Sequence, residues 1–123
     1  MQLSNSEEQL MNFLWDLGPS YMKDLIQQYA DPKPAQTTIA TLLKRIQDKG
    51  YIDYVREGRS RKYNALVSKE DYVAGRFQGF VKSFFGDSSA QFASFFAKSN
   101  TMSKDELQQL RDMIDNRLKE EKS

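Results

Sequence analysis

Nine side chains in the middle of the chain have the chemistry needed to grip a polyanion. Gln36, Thr37, Thr38 and Thr41 are short amide and hydroxyl groups; Lys44 and Arg45 follow them, and Arg59, Arg61 and Lys62 form a second basic cluster. Small polar groups can approach base edges closely in the major groove of a duplex, whereas long cations meet phosphates and position a protein without reading sequence. On that division Gln36, Thr37, Thr38 and Thr41 read bases, Lys44 and Arg45 meet phosphates, and Arg59, Arg61 and Lys62 suit phosphate or minor-groove contact. The bland alternative is a solvated polar face that happens to be basic.

The charge distribution argues against the bland alternative. The whole chain of 123 residues carries a net charge of only +1. Between Lys33 and Lys62, however, eight basic residues face three acids, a surplus of five positive charges over thirty residues, while residues 67–123 hold nine bases and nine acids. A local basic field on a neutral chain points to a polyanion at one face.

Several other chemistries are removed by absence. Without cysteine or histidine, disulfides, thiol catalysis and the commonest general base and metal ligands are unavailable. No glycine-rich phosphate loop, nucleophile elbow or EF-hand spacing occurs, so neither an enzyme, a cofactor nor a bound metal is expected. Asp112, Asp115, Glu120 and Glu121 read as surface charges, and Met11, Met22, Met102 and Met113 as packing residues. The amino terminus has no basic region followed by an apolar core, and no apolar run approaches the ~20 residues of a membrane span; a cytoplasmic protein is expected.

The elements that must hold these side chains follow from periodicity. A first helix starts at Ser4 or Ser6, with Glu7 or Gln9 as capping-box partner, carries Leu10, Phe13, Leu14 and Leu17 on its apolar side, and stops at Gly18-Pro19. A shorter helix after Ser20 presents Met22, Leu25, Ile26 and Tyr29 and ends before Asp31-Pro32-Lys33-Pro34. A third helix, from Ala35 or Gln36 to about Lys49, buries Ile39, Leu42, Leu43 and Ile46 and leaves the candidate residues on the other side. The segments 51–56 and 61–66, rich in aromatic and β-branched residues and joined by Glu57-Gly58-Arg59-Ser60, predict a β-hairpin; Tyr51, Tyr54 and Tyr63 are expected to pack there rather than stack on bases. Three helices and a hairpin make a winged helix-turn-helix domain, with the hairpin as the wing.

After Leu66 a helix is predicted from Ser68 to about Phe85, then a break at Gly86-Asp87-Ser88-Ser89, then a short helix with Phe92, Phe95 and Phe96. A last helix follows, opened by Ser103 and carrying Leu107, Leu110, Ile114 and Leu118, with Lys119 to Ser123 expected to fray. The fold class expected is therefore mainly α with a small β-hairpin: a winged helix-turn-helix domain over 1–67 and a three-helix dimerisation domain over 68–123. Seven of the eight phenylalanines lie between Phe77 and Phe96, too much aromatic surface for three short helices to enclose alone. Phe77, Phe80, Phe84, Phe92, Phe96, Leu107, Leu110 and Ile114 are thus expected at a homodimer interface; the alternative is an intramolecular core against the first domain.

The string Thr37-Thr38-Ile39-Ala40-Thr41-Leu42-Leu43-Lys44-Arg45-Ile46, then Lys49-Gly50-Tyr51-Ile52, Gly58-Arg59 and Tyr63, resembles the penicillinase-repressor family, which includes repressors of β-lactam resistance and copper-responsive relatives. Glu8-Gln9-Leu10-Met11 with Leu14-Trp15, and Phe96-Ala97-Lys98 through Leu107 to Leu110-Arg111-Asp112, extend the likeness over nearly the whole chain. The resemblance implies a homodimer that sits on palindromic double-stranded operator DNA and blocks transcription. In the β-lactam branch it also implies a membrane sensor-transducer with a metalloprotease domain, which triggers cleavage of the repressor in its dimerisation region. The scissile bond of the family would fall at Phe95-Phe96, where Phe95 replaces the family's asparagine. Gln36, Thr37 and Ala40 differ from the more charged residues of the staphylococcal type, and the cysteine motif of the copper branch is absent. Two other functions compete: a ligand-responsive repressor with an effector among the phenylalanines, and a winged-helix module whose basic face meets an acidic protein.

Overall fold

The computed structural model describes residues 2–86 and 88–121. Its elements run α1 (Asn5–Leu17), β1 (Ser20–Tyr21), α2 (Met22–Gln27), α3 (Gln36–Asp48), β2 (Ile52–Glu57), β3 (Ser60–Ala65), α4 (Lys69–Phe85), α5 (Ser89–Lys98) and α6 (Lys104–Glu121). They fall into two compact units, Met1–Phe77 and Gln78–Ser123. None of the helices described is long and apolar enough to cross a membrane.

In the first unit the helix boundaries follow local chemistry. Ser4 caps α1: its hydroxyl accepts from the Glu7 N–H at 3.2 Å, and Glu7 Oε1 accepts from the Ser4 N–H at 2.7 Å, satisfying two donors that a helix start would otherwise leave free. The apolar stripes then meet. Leu10 and Leu14 of α1, Leu25 of α2, Ile39, Leu43 and Ile46 of α3, and Ile52 of β2 form one buried core with Tyr63 of β3. Leu17, expected on the buried side of α1, is 43% exposed in its last turn. α2 ends at Gln27, so Tyr29 lies beyond it, packed edge-on against Phe13 with ring centroids 4.8 Å apart.

The sheet has one strand more than the expected hairpin. β2 and β3 pair antiparallel from Ile52↔Ala65 to Glu57↔Ser60, and β1 adds to the outer side of β3 through Ser20↔Tyr63 and Tyr21↔Lys62, in the order β1-β3-β2. The Glu57↔Ser60 pairing leaves Gly58 and Arg59 as a two-residue turn. Gly58 takes a φ of +63° there, which a tight hairpin twisted like its strands requires and side chains resist. Strand alternation places Tyr54, Arg56, Arg61 and Tyr63 on one face of the wing, and Val55, Glu57 and Lys62 on the other.

A buried ion pair ties the start of α1 to the end of α3. Lys49 follows the last turn of α3 and reaches Glu7 Oε1 at 2.6 Å and the Gln2 carbonyl at 3.0 Å. Burial by itself would raise the Glu7 carboxyl, but the Lys49 ammonium and the Ser4 N–H and hydroxyl outweigh it and hold the group below its ordinary 4.5. The first turns of α4 are fastened to the same unit. The Tyr72 hydroxyl donates to Glu8, Arg76 Nε lies 3.2 Å from the same carboxylate, and Trp15 Nε1 donates to the Val67 carbonyl at 2.8 Å. Burial and the Glu8 contact push the Tyr72 phenol up to about 12.

The second unit is built differently. Ser88 caps α5 through the Gln91 N–H at 3.1 Å. Ser103 opens α6 by the expected reciprocal box with Glu106, at 2.9 and 3.2 Å. The expected fraying at Lys119 does not begin there, because α6 continues to Glu121; Arg117 and Glu121 form an i,i+4 ion pair at 2.8 Å that supports the last turn. Lys122 and Ser123, and Asp87 of the expected break, lie outside the described residues. Phe85 packs against Phe92 and Phe95 with centroids 5.6 and 5.7 Å apart, yet no residue of α5 or α6 is buried.

The Glu7–Lys49 pair gives a pH signature. Because the folded carboxyl titrates below its unfolded value, its stabilisation is complete above that value, about 4.3, and is lost as pH falls through the folded one. Glu7→Gln should therefore cost about 1–3 kcal/mol at neutral pH, a deficit that shrinks below about pH 4. Urea melts at pH 7 and pH 3 measure this; an equal deficit at both would remove the ion pair from the account.

Candidate nucleic-acid interface

α3 is divided along its length. Ile39, Leu43 and Ile46 are fully buried, while Gln36, Thr37, Thr38, Thr41, Lys44 and Arg45 are all exposed. The two faces follow from 3.6 residues per turn: Thr37, Thr41, Lys44 and Asp48 form the outermost ridge, Ala40 and Gln47 lie to one side of it, and Thr38 and Arg45 to the other. Ala35 caps the helix without a side-chain hydrogen bond, so the first-turn N–H groups of Gln36 and Thr37 face outward without a capping side chain.

Two of the candidate side chains are already engaged. The Thr41 hydroxyl donates to the Thr37 carbonyl at 2.9 Å, which leaves it acceptor lone pairs toward any ligand. Lys44 Nζ lies 2.9 Å from Asp48 Oδ1 in an exposed i,i+4 pair, a contact worth a few tenths of a kcal/mol and readily exchanged. Asp48 puts one negative charge on the outer ridge.

The wing residues separate. Arg61 stands over the Tyr54 ring, its guanidinium carbon 4.4 Å from the centroid, on the face of the wing that continues into the core. Lys62 points to the opposite face and lies 5.7 Å from the Tyr21 ring centroid. The Tyr21 hydroxyl donates to Glu57, and that contact raises the phenol above its ordinary 10.0. Arg59 projects from the two-residue turn. Tyr63 is buried, and Tyr51 and Tyr54 are half-buried against the same core, so all three serve packing.

Lys44, Arg59 and Arg61 converge on one groove between α3 and the wing. Its other walls are Tyr21, Met22, Lys23, Ala40, Gln47, Ser60 and Tyr63. Of the eight basic residues counted from Lys33 to Lys62, Lys44, Arg59 and Arg61 line the groove; Lys62 points to the other face of the wing, and two more are engaged within the fold. Lys33 donates to the Gln27 and Tyr29 carbonyls at 3.2 and 2.5 Å, closing the end of α2, and Lys49 holds Glu7. Gln47 of the polar side of α3 joins the groove, and so does Lys23, which nothing in the sequence singles out. Lys23 lies outside the charged window, and only the packing of α2 across α3 brings it in. Among the described residues no group of three or more acids is placed to hold a metal ion.

Comparison with known proteins gives this geometry a family. A model described as penicillinase repressor matches residues 3–116. The methicillin resistance regulatory protein MecI of Staphylococcus aureus (strain N315) is 24% identical over 114 residues, which is 92% of this chain and 93% of that protein. The penicillinase repressor of Bacillus licheniformis is 24% identical over 97% of this chain and 96% of that protein. Among solved structures, the monomeric form of Bacillus licheniformis BlaI in complex with the blaP half-operator is 26% identical, with a TM-score of 0.49 over 58% of this chain and 89% of that one. The chain belongs to the penicillinase repressor family: it is a transcriptional repressor that binds DNA, and not an enzyme.

Proposed function

We propose that the chain represses as a homodimer, with residues 1–67 on DNA and residues 68–123 joining two copies over a palindromic operator. The observation that carries the DNA half is the division of α3, whose apolar stripe is sunk in the core while its polar ridge runs beside a basic wing. Thr37, Thr38, Thr41 and Gln36 then face base edges in the major groove, and Lys44, Arg45, Arg59 and Arg61 face phosphates. Lys62, on the far side of the wing, steadies Tyr21 and takes no part in reading bases. Such a repressor works where the chromosome lies, in the cytoplasm.

Unburied aromatic surface supports the dimer. α4 carries Val73, Phe77, Phe80 and Phe84 at the 4-3-4 spacing of a helix–helix seam, exposed by 52, 50, 49 and 72%. Leu107, Ile114 and Leu118 of α6 are exposed by 43, 51 and 55%, and Phe92, Phe96 and Leu110 are half-buried. At ~25 cal/mol per Å2, covering several such rings with a second copy contributes several kcal/mol.

The off-switch implied by the family, a membrane sensor-transducer with a metalloprotease domain, would have to act at Phe95-Phe96. Both residues lie inside α5, and Phe95 is 62% exposed. Cleavage there requires α5 to unwind locally first, which a helix with no buried residue permits.

Gel shifts with the DNA upstream of the chain's own gene test the reading. Affinity should fall by about 0.9 log unit per log unit of salt for each phosphate contacted. Arg45→Gln should lower that slope by about 1 and leave the preference for operator over unrelated DNA intact, whereas Thr37→Ala should reduce the preference by about 1–3 kcal/mol. No shift at low salt would sink the proposal. For the dimer, Phe80→Asp with Phe84→Asp should halve the mass seen by sedimentation while the melting of the first unit stays unchanged; a mass unaffected by both charges would show that this seam does not join the copies.

A further inference from the structure

The groove between α3 and the wing has a volume of about 420 Å3 and is lined by four cations from four places in the fold: Lys23 of α2, Lys44 of α3, Arg59 of the turn and Arg61 of β3. No carboxylate stands among its described lining residues. Gathering four positive charges in one depression raises their mutual repulsion, and the two acids nearby do little to offset it. Asp48 holds Lys44 from the exposed ridge, and Glu57 is bound by the Tyr21 hydroxyl on the other face of the wing. The Lys23 and Arg59 side chains make no hydrogen bond or ion pair among the described residues. An anion is the missing partner.

We infer that this groove seats a backbone phosphate of the operator strand and that Lys23, which is on neither the reading helix nor the wing, is one of its phosphate ligands. The inference rests on the DNA-binding reading above and adds to it a residue and a place. Volume alone would also suit a small molecule, but small-molecule pockets are mostly apolar with few polar groups. Here Tyr21, Met22, Ala40 and Tyr63 are joined by four cations, and the cations are exposed long-chain ones. The groove is also continuous, through Lys44, with the ridge of Thr37 and Thr41, so a strand whose bases face α3 passes over it. Gln47 lies on the groove side of α3, where its amide is placed to donate to the same phosphate.

Lys23→Gln is the variant of choice, because Lys23 is exposed and removing its charge disturbs no contact in the fold. In salt-titrated gel shifts of the full chain, it should weaken binding about 3- to 10-fold and to the same extent on operator and unrelated DNA, with the log–log slope smaller by about 1. Lys23→Arg should restore both. Operators carrying single neutral methylphosphonate linkages locate the contact: one position should weaken the wild type and leave Lys23→Gln unaffected. Wild-type slope and affinity in Lys23→Gln would overturn the seat while leaving the DNA reading standing, whereas failure of the wild type to bind any DNA at low salt would overturn both. Inorganic pyrophosphate supplies the remaining arm. Thermal stabilisation of the wild type at micromolar pyrophosphate, lost in Lys23→Gln while that variant keeps the wild-type DNA slope, would make the groove a site for a free phosphorylated ligand and overturn the proposal.

Discussion

The whole first unit is organised around burying one side of α3 while keeping the other side wet. Ile39, Leu43 and Ile46 enter the core completely, and each would cost about 2–5 kcal/mol if truncated to alanine. That stripe fixes the rotation of α3 about its axis, and the rotation decides which side chains are left for DNA. The Glu7–Lys49 ion pair adds the second constraint by tying the end of α3 to the capped start of α1. A helix held along its buried face and at its end can present Thr37, Thr41 and Lys44 as a rigid ridge, which recognition requires because loose side chains lose entropy on every contact.

The wing depends on the same core. Tyr63 and Ile52 anchor β3 and β2 in it, Gly58 permits the tight turn, and β1 braces β3 from outside. Tyr21 joins these roles: its backbone pairs with Lys62, its hydroxyl holds Glu57, and it is one of the residues lining the groove. The result is a basic depression bounded by residues from α2, α3 and the hairpin, none of which would form it alone. The second unit obeys the opposite rule. Its helices α5 and α6 are regular but bury nothing completely, and the proposed dimer draws on their apolar side chains.

Much of this was legible because it is local. Ser4 with Glu7 and Ser103 with Glu106 state helix starts within four residues, and the alternation around Gly58 states a hairpin within fourteen. The stripes of α1, α3 and α4 are visible for the same reason, since helical periodicity needs no tertiary knowledge. What escaped was set by tertiary contact. β1 is two residues long and exists only because β3 lies beside it, so Ser20-Tyr21 carries no strand pattern of its own. Charge counting could not tell that Lys33 and Lys49 turn toward backbone carbonyls and Glu7, or that Arg61 and Lys62, adjacent in sequence, point to opposite faces. Lys23 was missed because its role comes from where α2 crosses α3. Phe95, where the resemblance implied an asparagine, lies inside α5, a placement that the order of residues alone does not give.

The central claim is that two copies of the α3-and-wing face sit on one operator. Hydroxyl-radical footprinting of the DNA upstream of the chain's own gene, with the purified full chain, tests this most directly. The account predicts two protected half-sites related by a dyad and centred one helical turn or a whole multiple of it apart, about 10 base pairs per turn, appearing together as protein is added. Protection of a single half-site at saturation, or none at low salt, would contradict it.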